Sequence, residues 1–146
     1  MDWESLLADW GERFEIRTFE APPLQIVTSL FDELGLTSSD LLGLYACTNG
    51  ISREWFRVLP IEVPHRIKET WDGLRRANNP ASTKFLARDA EMFKRFIVFA
   101  EIGGLDCAAI ERATGAIWCQ EGDELFEIAG DLPGFIEQSL LDVTEL

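Results

Sequence analysis

One histidine, His65, and three cysteines, Cys47, Cys107 and Cys119, are the side chains best suited to proton transfer, nucleophilic attack or metal ligation. Neither set has the company such chemistry needs. His65 follows Pro64, with Glu62 and Glu69 close by in sequence. A general base also requires an orienting partner and a reacting group within about 3 Å, and this spacing supplies neither. His65 is therefore read as a surface or helix-capping residue. The cysteines form no Cys-x-x-Cys pair, and a single histidine is too few for a cysteine–histidine zinc site. Cys119 lies among acids, whereas a reactive thiolate is favoured by positive surroundings. Buried free thiols are the expectation.

Carboxylates are the remaining candidates. Glu101, Asp106, Glu111, Glu121, Asp123, Glu124 and Glu127 crowd one stretch of the chain. Their spacing is not that of a calcium-binding loop. Nothing marks one of them as the buried, protonated acid that a hydrolytic carboxylate pair requires. Gly103-Gly104-Leu105-Asp106 sits between two strand-like segments, and a phosphate cradle would need a helix after it. The expectation is a protein that is not an enzyme, with no cofactor and no bound metal.

The elements that must carry these residues follow from periodicity. Trp3, Leu6, Leu7 and Trp10 recur at helical spacing, with Asp2 as N-cap and Gly11 as the expected stop. Phe14, Ile16 and Thr18 alternate as a short extended segment. Leu24, Val27, Leu30, Phe31 and Leu34 share a helical face that Gly35 closes. Ser38 or Ser39 caps a helix bearing Leu41, Leu42 and Tyr45, expected to run to Asn49-Gly50. Phe56 and Val58 begin a strand that ends at Leu59-Pro60, with Trp55 either its first residue or just before it. From Pro64, the spacing of Ile67, Trp71 and Leu74 predicts one helix, ended by Asn78-Asn79-Pro80. Residues 81–84 read as a loop, and Phe85, Leu86, Met92 and Phe93 as a short helix.

Phe96 to Ala100 is a continuous apolar run rich in β-formers, the expected central strand. Cys107 to Glu111 and Ala116 to Cys119 form a hairpin across Arg112-Ala113-Thr114-Gly115. Period two places Ile117 and Cys119 on one face and Trp118 on the other. Leu125, Phe126 and Ile128 give a last strand. Asp131 caps a closing helix with Pro133 just inside, whose Leu132, Phe135, Ile136, Leu140 and Val143 face the core. The length of the chain makes a single compact domain the simplest organisation. Residues 1–22 form a helix and extended segment packed on the domain of residues 23–146.

Charge is distributed unevenly. The net −13 of the 146-residue chain divides into −7 over residues 1–52, +4 over 53–95 and −10 over 96–146. A strongly acidic field repels nucleic acid and speeds encounter with a basic protein. The plainer reading is solubility, with edge acids that discourage strand-to-strand aggregation. The mixed charges of residues 66–76 fit a solvated helix face rather than a nucleic-acid site. No apolar run reaches the roughly 20 residues that span a bilayer, and Asp2, Glu4 and Asp9 stand where a signal peptide is basic. A cytoplasmic protein with no membrane partner is expected.

The segments Leu41 to Gly50, Val58-Leu59-Pro60-Ile61, Gly103 to Asp106, Thr114 to Trp118 and the Phe135-Ile136 helix come in an order that resembles the SUKH (SMI/KNR-type) superfamily. The resemblance spans about residues 24–142. It implies an α+β class protein, a small domain with a mainly antiparallel sheet flanked by helices, whose bacterial members bind and neutralise toxins, often nucleases, while fungal relatives are regulatory binding proteins. The implied partner is a basic toxin domain, occluded stoichiometrically. The expected binding residues are Glu101, Asp106, Glu121, Asp123 and Glu124, with Trp118 as an anchor. A regulatory adaptor or small-ligand module of the same fold, using the Trp3/Trp10 helix or a sheet cleft, is the alternative.

Overall fold

The computed structural model describes residues 1–83, 85, 90–104 and 106–144. Leu86 and Leu105, expected in a helix and a turn, lie outside the described residues. Seven antiparallel strands form one sheet in sequence order: β1 (Arg17–Thr18), β2 (Ile51–Arg53), β3 (Phe56–Val58), β4 (Phe96–Ile102), β5 (Asp106–Glu111), β6 (Ile117–Glu121) and β7 (Glu124–Ile128). The helices are α1 (Trp3–Arg13), α2 (Leu24–Leu34), α3 (Ser39–Tyr45), α4 (Ile67–Thr70), α5 (Leu74–Ala77), α6 (Ala90–Arg95) and α7 (Leu132–Thr144). A 3-10 turn at Pro64–Arg66 precedes α4. The expected α+β class is thus observed.

The sheet separates two apolar clusters. On one face α1, α2, α3 and α7 cover Ile51, Phe56, Val58, Ile97, Phe99, Ile110 and Ile117. Trp3 and Trp10 belong to this core, edge to face at 6.2 Å, so the N-terminal helix buries its aromatic stripe against the domain. Phe135 of α7 packs on Phe56 and Phe99. The other face gathers Phe96, Val98, Cys107 and Ala109 under Leu59, Ala77 and Phe85. β4, with Phe96 to Ala100 buried, is the central strand as its apolar run predicts.

Two asparagines extend the sheet with side chains. Asn49 donates its amide to the Ile61 carbonyl at 3.0 Å and accepts from the Ile61 N–H at 2.7 Å. Asn78 does the same for Val98, at 2.9 and 2.8 Å. Each amide reproduces one residue of strand pairing where the backbone ladder stops, so buried peptide groups stay satisfied. Gly50 follows Asn49 with φ 92°, and a Cβ there would stand 2.5 Å from the Val58 carbonyl. Only glycine fits both conditions.

Several expectations need correction. Gly11 does not stop α1, which continues to Arg13 and ends at Phe14. α3 ends at Tyr45, and the Asn49-Gly50 segment beyond it has the clasping role just described. Trp55 is not a strand residue: it and Glu54 form the turn of a β2–β3 hairpin whose first strand the sequence reading lacks. The helix expected from Pro64 breaks into three short pieces, and Ile67 and Trp71 point to solvent. Thr70 is buried between them and bonds the Val63 N–H and the Arg66 carbonyl, which turns the other side of this segment inward. Leu24 is exposed at the start of α2, and Phe85 precedes α6 instead of belonging to it.

Candidate functional site

The antiparallel order brings three turns to one end of the sheet. These are Glu54-Trp55 between β2 and β3, the Gly103-Gly104 turn between β4 and β5, and Gly122-Asp123 between β6 and β7. The Gly103 N–H donates to the Trp55 carbonyl at 2.8 Å, tying the first two together. The Gly122 N–H donates to Asp106 Oδ1 at 3.0 Å, tying the third to the base of β5. Asp106 therefore positions the acidic loop.

Around this frame lie the acids. Glu121 and Glu124 face each other directly across the last hairpin, flanking Asp123, and all three are exposed. Among the described residues, none of the three is paired with a cation. Like charges placed directly opposite each other destabilise a sheet by up to about 1 kcal/mol. Among the described residues, no other directly opposed strand pair joins like charges.

The other expected residues are placed differently. Glu101, on β4, accepts from Arg57 Nε at 2.8 Å, and Arg57 also reaches Asp72 at 3.1 Å. Its charge is spent inside the molecule, which removes it from the exposed acidic group. Glu111 lies at the opposite end of β5, bonded to Arg95 at 2.6 Å and Thr114 at 2.8 Å. Trp118 is half-buried, edge-on to Phe96 at 5.5 Å with the Arg95 guanidinium 4.8 Å above it. A partner would have to displace Arg95 to reach its ring. Trp55, which is 37% exposed beside Gly103, is the aromatic that the turns present at the acidic end. Recognising β2 and its hairpin in the sequence would have pointed to it.

The three cysteines are held as thiols. Burial pushes both the Cys107 and Cys119 thiols up to about 12, with neighbouring acids adding to the effect. They lie on opposite faces of the sheet, as the two apolar clusters require. Burial also raises the half-exposed Cys47 thiol, aided by Glu4 and Asp2. His65 is exposed on the 3-10 turn. Among the described residues no group of three or more histidine, cysteine and acidic side chains is arranged to hold a metal ion.

A cavity of about 240 Å³ opens over β1–β3, lined by Arg17, Ser52, Arg57, Arg66 and Thr70. Its arginines are largely balanced. Arg66 meets Glu20 at 2.6 Å and Glu69 at 3.6 Å, and Arg57 is held as above. The cavity offers polar lining without a strong net field. No family model, curated protein or solved structure matches the chain. Among the described residues, no helix is long and apolar enough to cross a membrane.

Proposed function

We propose that this chain is a non-catalytic binding protein of the immunity type, which occludes a basic toxin domain stoichiometrically through the acidic end of its sheet. The observation that carries this reading is the exposed Glu121–Glu124 pair, flanked by Asp123 and without a cation among the described residues. Glu101 and Glu111, on neighbouring strands, are by contrast paired with arginine. A basic partner relieves the repulsion that the free protein tolerates, so the local instability becomes binding free energy. Trp55 supplies an aromatic contact beside the acids, of the kind enriched where partners bind tightly. The likeness of the sequence to SUKH proteins supports the immunity assignment, and a basic nuclease cleft is the kind of surface an acidic end can fill by imitating phosphate.

The first test is whether a gene beside this one encodes a basic toxin domain, and the second is co-expression of the two. The wild-type chain rescues growth, and the combined variant Glu121→Lys, Asp123→Lys, Glu124→Lys does not. Measured in vitro, the variant loses association rate chiefly, and the loss shrinks at high salt because these charges are exposed. Unchanged binding of the triple variant would sink the assignment. The alternative, a small-ligand or adaptor role, has the β1–β3 cavity in its favour. It is tested by Ser52→Trp, which fills that space and should leave toxin binding intact.

A further inference from the structure

The sheet has two edges, and they differ. β1 is only two residues long, whereas β7 runs five residues from Glu124 to Ile128. Among the described residues, no backbone group outside β6 bonds to β7. The two-residue loop Gly122-Asp123 closes on Glu121 and Glu124, and hydrogen-bonded and non-bonded pairs alternate from there. Leu125 and Glu127 therefore turn their N–H and C=O groups away from β6, toward solvent. Phe126 is 39% exposed along the same strand.

Natural edges of this length are blunted by proline, bulges, charged side chains or a covering segment, and of these β7 has charge alone, which repels another acidic edge but not a basic strand. β7 carries no proline and is in unbroken register with β6. Its side chains include Glu124 and Glu127, both exposed. We infer that β7 is a docking edge that accepts an extended, lysine- or arginine-rich segment of a protein partner as an eighth strand. Main-chain bonds to Leu125 and Glu127 would supply affinity, and the flanking glutamates would select for basic side chains. A second copy of this chain is the wrong occupant, because pairing β7 with itself brings four edge glutamates together. The proposal rests on the acidic-surface reading and adds to it the mode of contact.

The probe is an acetylated peptide alternating Lys and Val, about seven residues long to match a typical strand. It is added at about 1 mM to the isotopically labelled full chain. In the free protein the outward Leu125 and Glu127 amides exchange rapidly with deuterium. With the peptide bound, both should slow by about tenfold or more, while a matching Glu–Val peptide leaves them unchanged. Glu127→Pro removes an outward N–H without touching the β6–β7 ladder, a change that edge strands accept. It should abolish peptide binding, whereas Glu127→Ala retains most of it.

Binding of the Lys–Val peptide to Glu127→Pro as tightly as to wild type overturns strand addition. If the triple charge reversal abolished that same binding, the acidic-surface reading would survive alone. No binding of the peptide, protection at other amides only, or concentration-dependent protection without peptide each refutes the proposal.

Discussion

The two ends of the sheet treat charge in opposite ways. At the end where β5 meets β6, Glu111 is bonded to Arg95 and Thr114. There Arg112 donates to the Leu34 carbonyl at the close of α2 and to the Phe93 carbonyl of α6 at 3.3 Å. Arg112 thus ties together helices on both faces of the sheet, satisfying carbonyls that a helix end leaves orphaned. At the other end Glu121, Asp123 and Glu124 stand exposed, with no cation among the described residues. One end turns its charged groups inward onto bonding partners. The other keeps an unfavourable arrangement that only a partner can relieve, and the contrast is the physical case for a binding surface there.

The largest expected effect breaks the stable end. Arg112→Leu leaves both helix carbonyls without their charged donor, at a cost of roughly 2–4 kcal/mol, since bonds to charged groups are each worth up to about 3. Gly35 belongs to the same device. Its φ of 68° ends α2, and a Cβ there would stand 2.8 Å from the Arg112 guanidinium. Urea unfolding should show a lower midpoint with an unchanged slope. A midpoint equal to wild type would mean that Arg112 does not join the two layers.

Little of that end could be read from the sequence, and the reason is distance. Arg112 reaches a carbonyl 78 residues away, and Asn78 clasps Val98 across 20 residues. Local patterns carry no sign of such partners. Elements whose signals are local came through. The apolar run of β4, Gly115 at φ 76° in the β5–β6 turn, and the Asp131 cap of α7 at 2.9 Å from the Gly134 N–H are all as expected. β2 was lost because three residues are too few to show alternation. The exposure of Ile67 and Trp71 was lost because helical spacing does not tell which side faces the core. At the candidate site the acids themselves were visible. That Arg57 neutralises Glu101 from 44 residues away, while Glu121 and Glu124 have no such partner, was not.

A smaller effect, opposite in sign, sharpens the contrast. Glu121→Lys turns the like-charge pair with Glu124 into an opposite-charge pair across the hairpin. Stability should rise by about 0.5–1 kcal/mol, the scale of cross-strand charge pairs. The equivalent change at the other end, Glu111→Lys, loses the bonds from Arg95 and Thr114 and should lower stability. Thermal unfolding of the two variants side by side checks the sign. A fall for both would mean that the Glu121–Glu124 pair carries no repulsion to relieve.

The smallest effect is one of pH. The bond from Arg95, then that from Thr114, hold the Glu111 carboxyl below the usual carboxylate range, and Glu137 is held low first by Trp10 and then by Arg13. A carboxyl whose folded pKa lies below its unfolded value stabilises the fold at pH above that unfolded value. The contribution drains away as pH falls through the folded pKa, because the unfolded chain takes up the proton first. Stability should therefore be level above about pH 5 for these two groups and decline as pH drops past the ordinary glutamate value of about 4.3. Glu111→Gln and Glu137→Gln should each flatten that decline, and near neutral pH each should lower stability only by the loss of its ion pair, a small effect for pairs open to solvent. If the slope of stability against pH in the Glu111→Gln variant matched wild type, the paired end would not draw on its ionised carboxylate, and the two ends would differ in geometry alone.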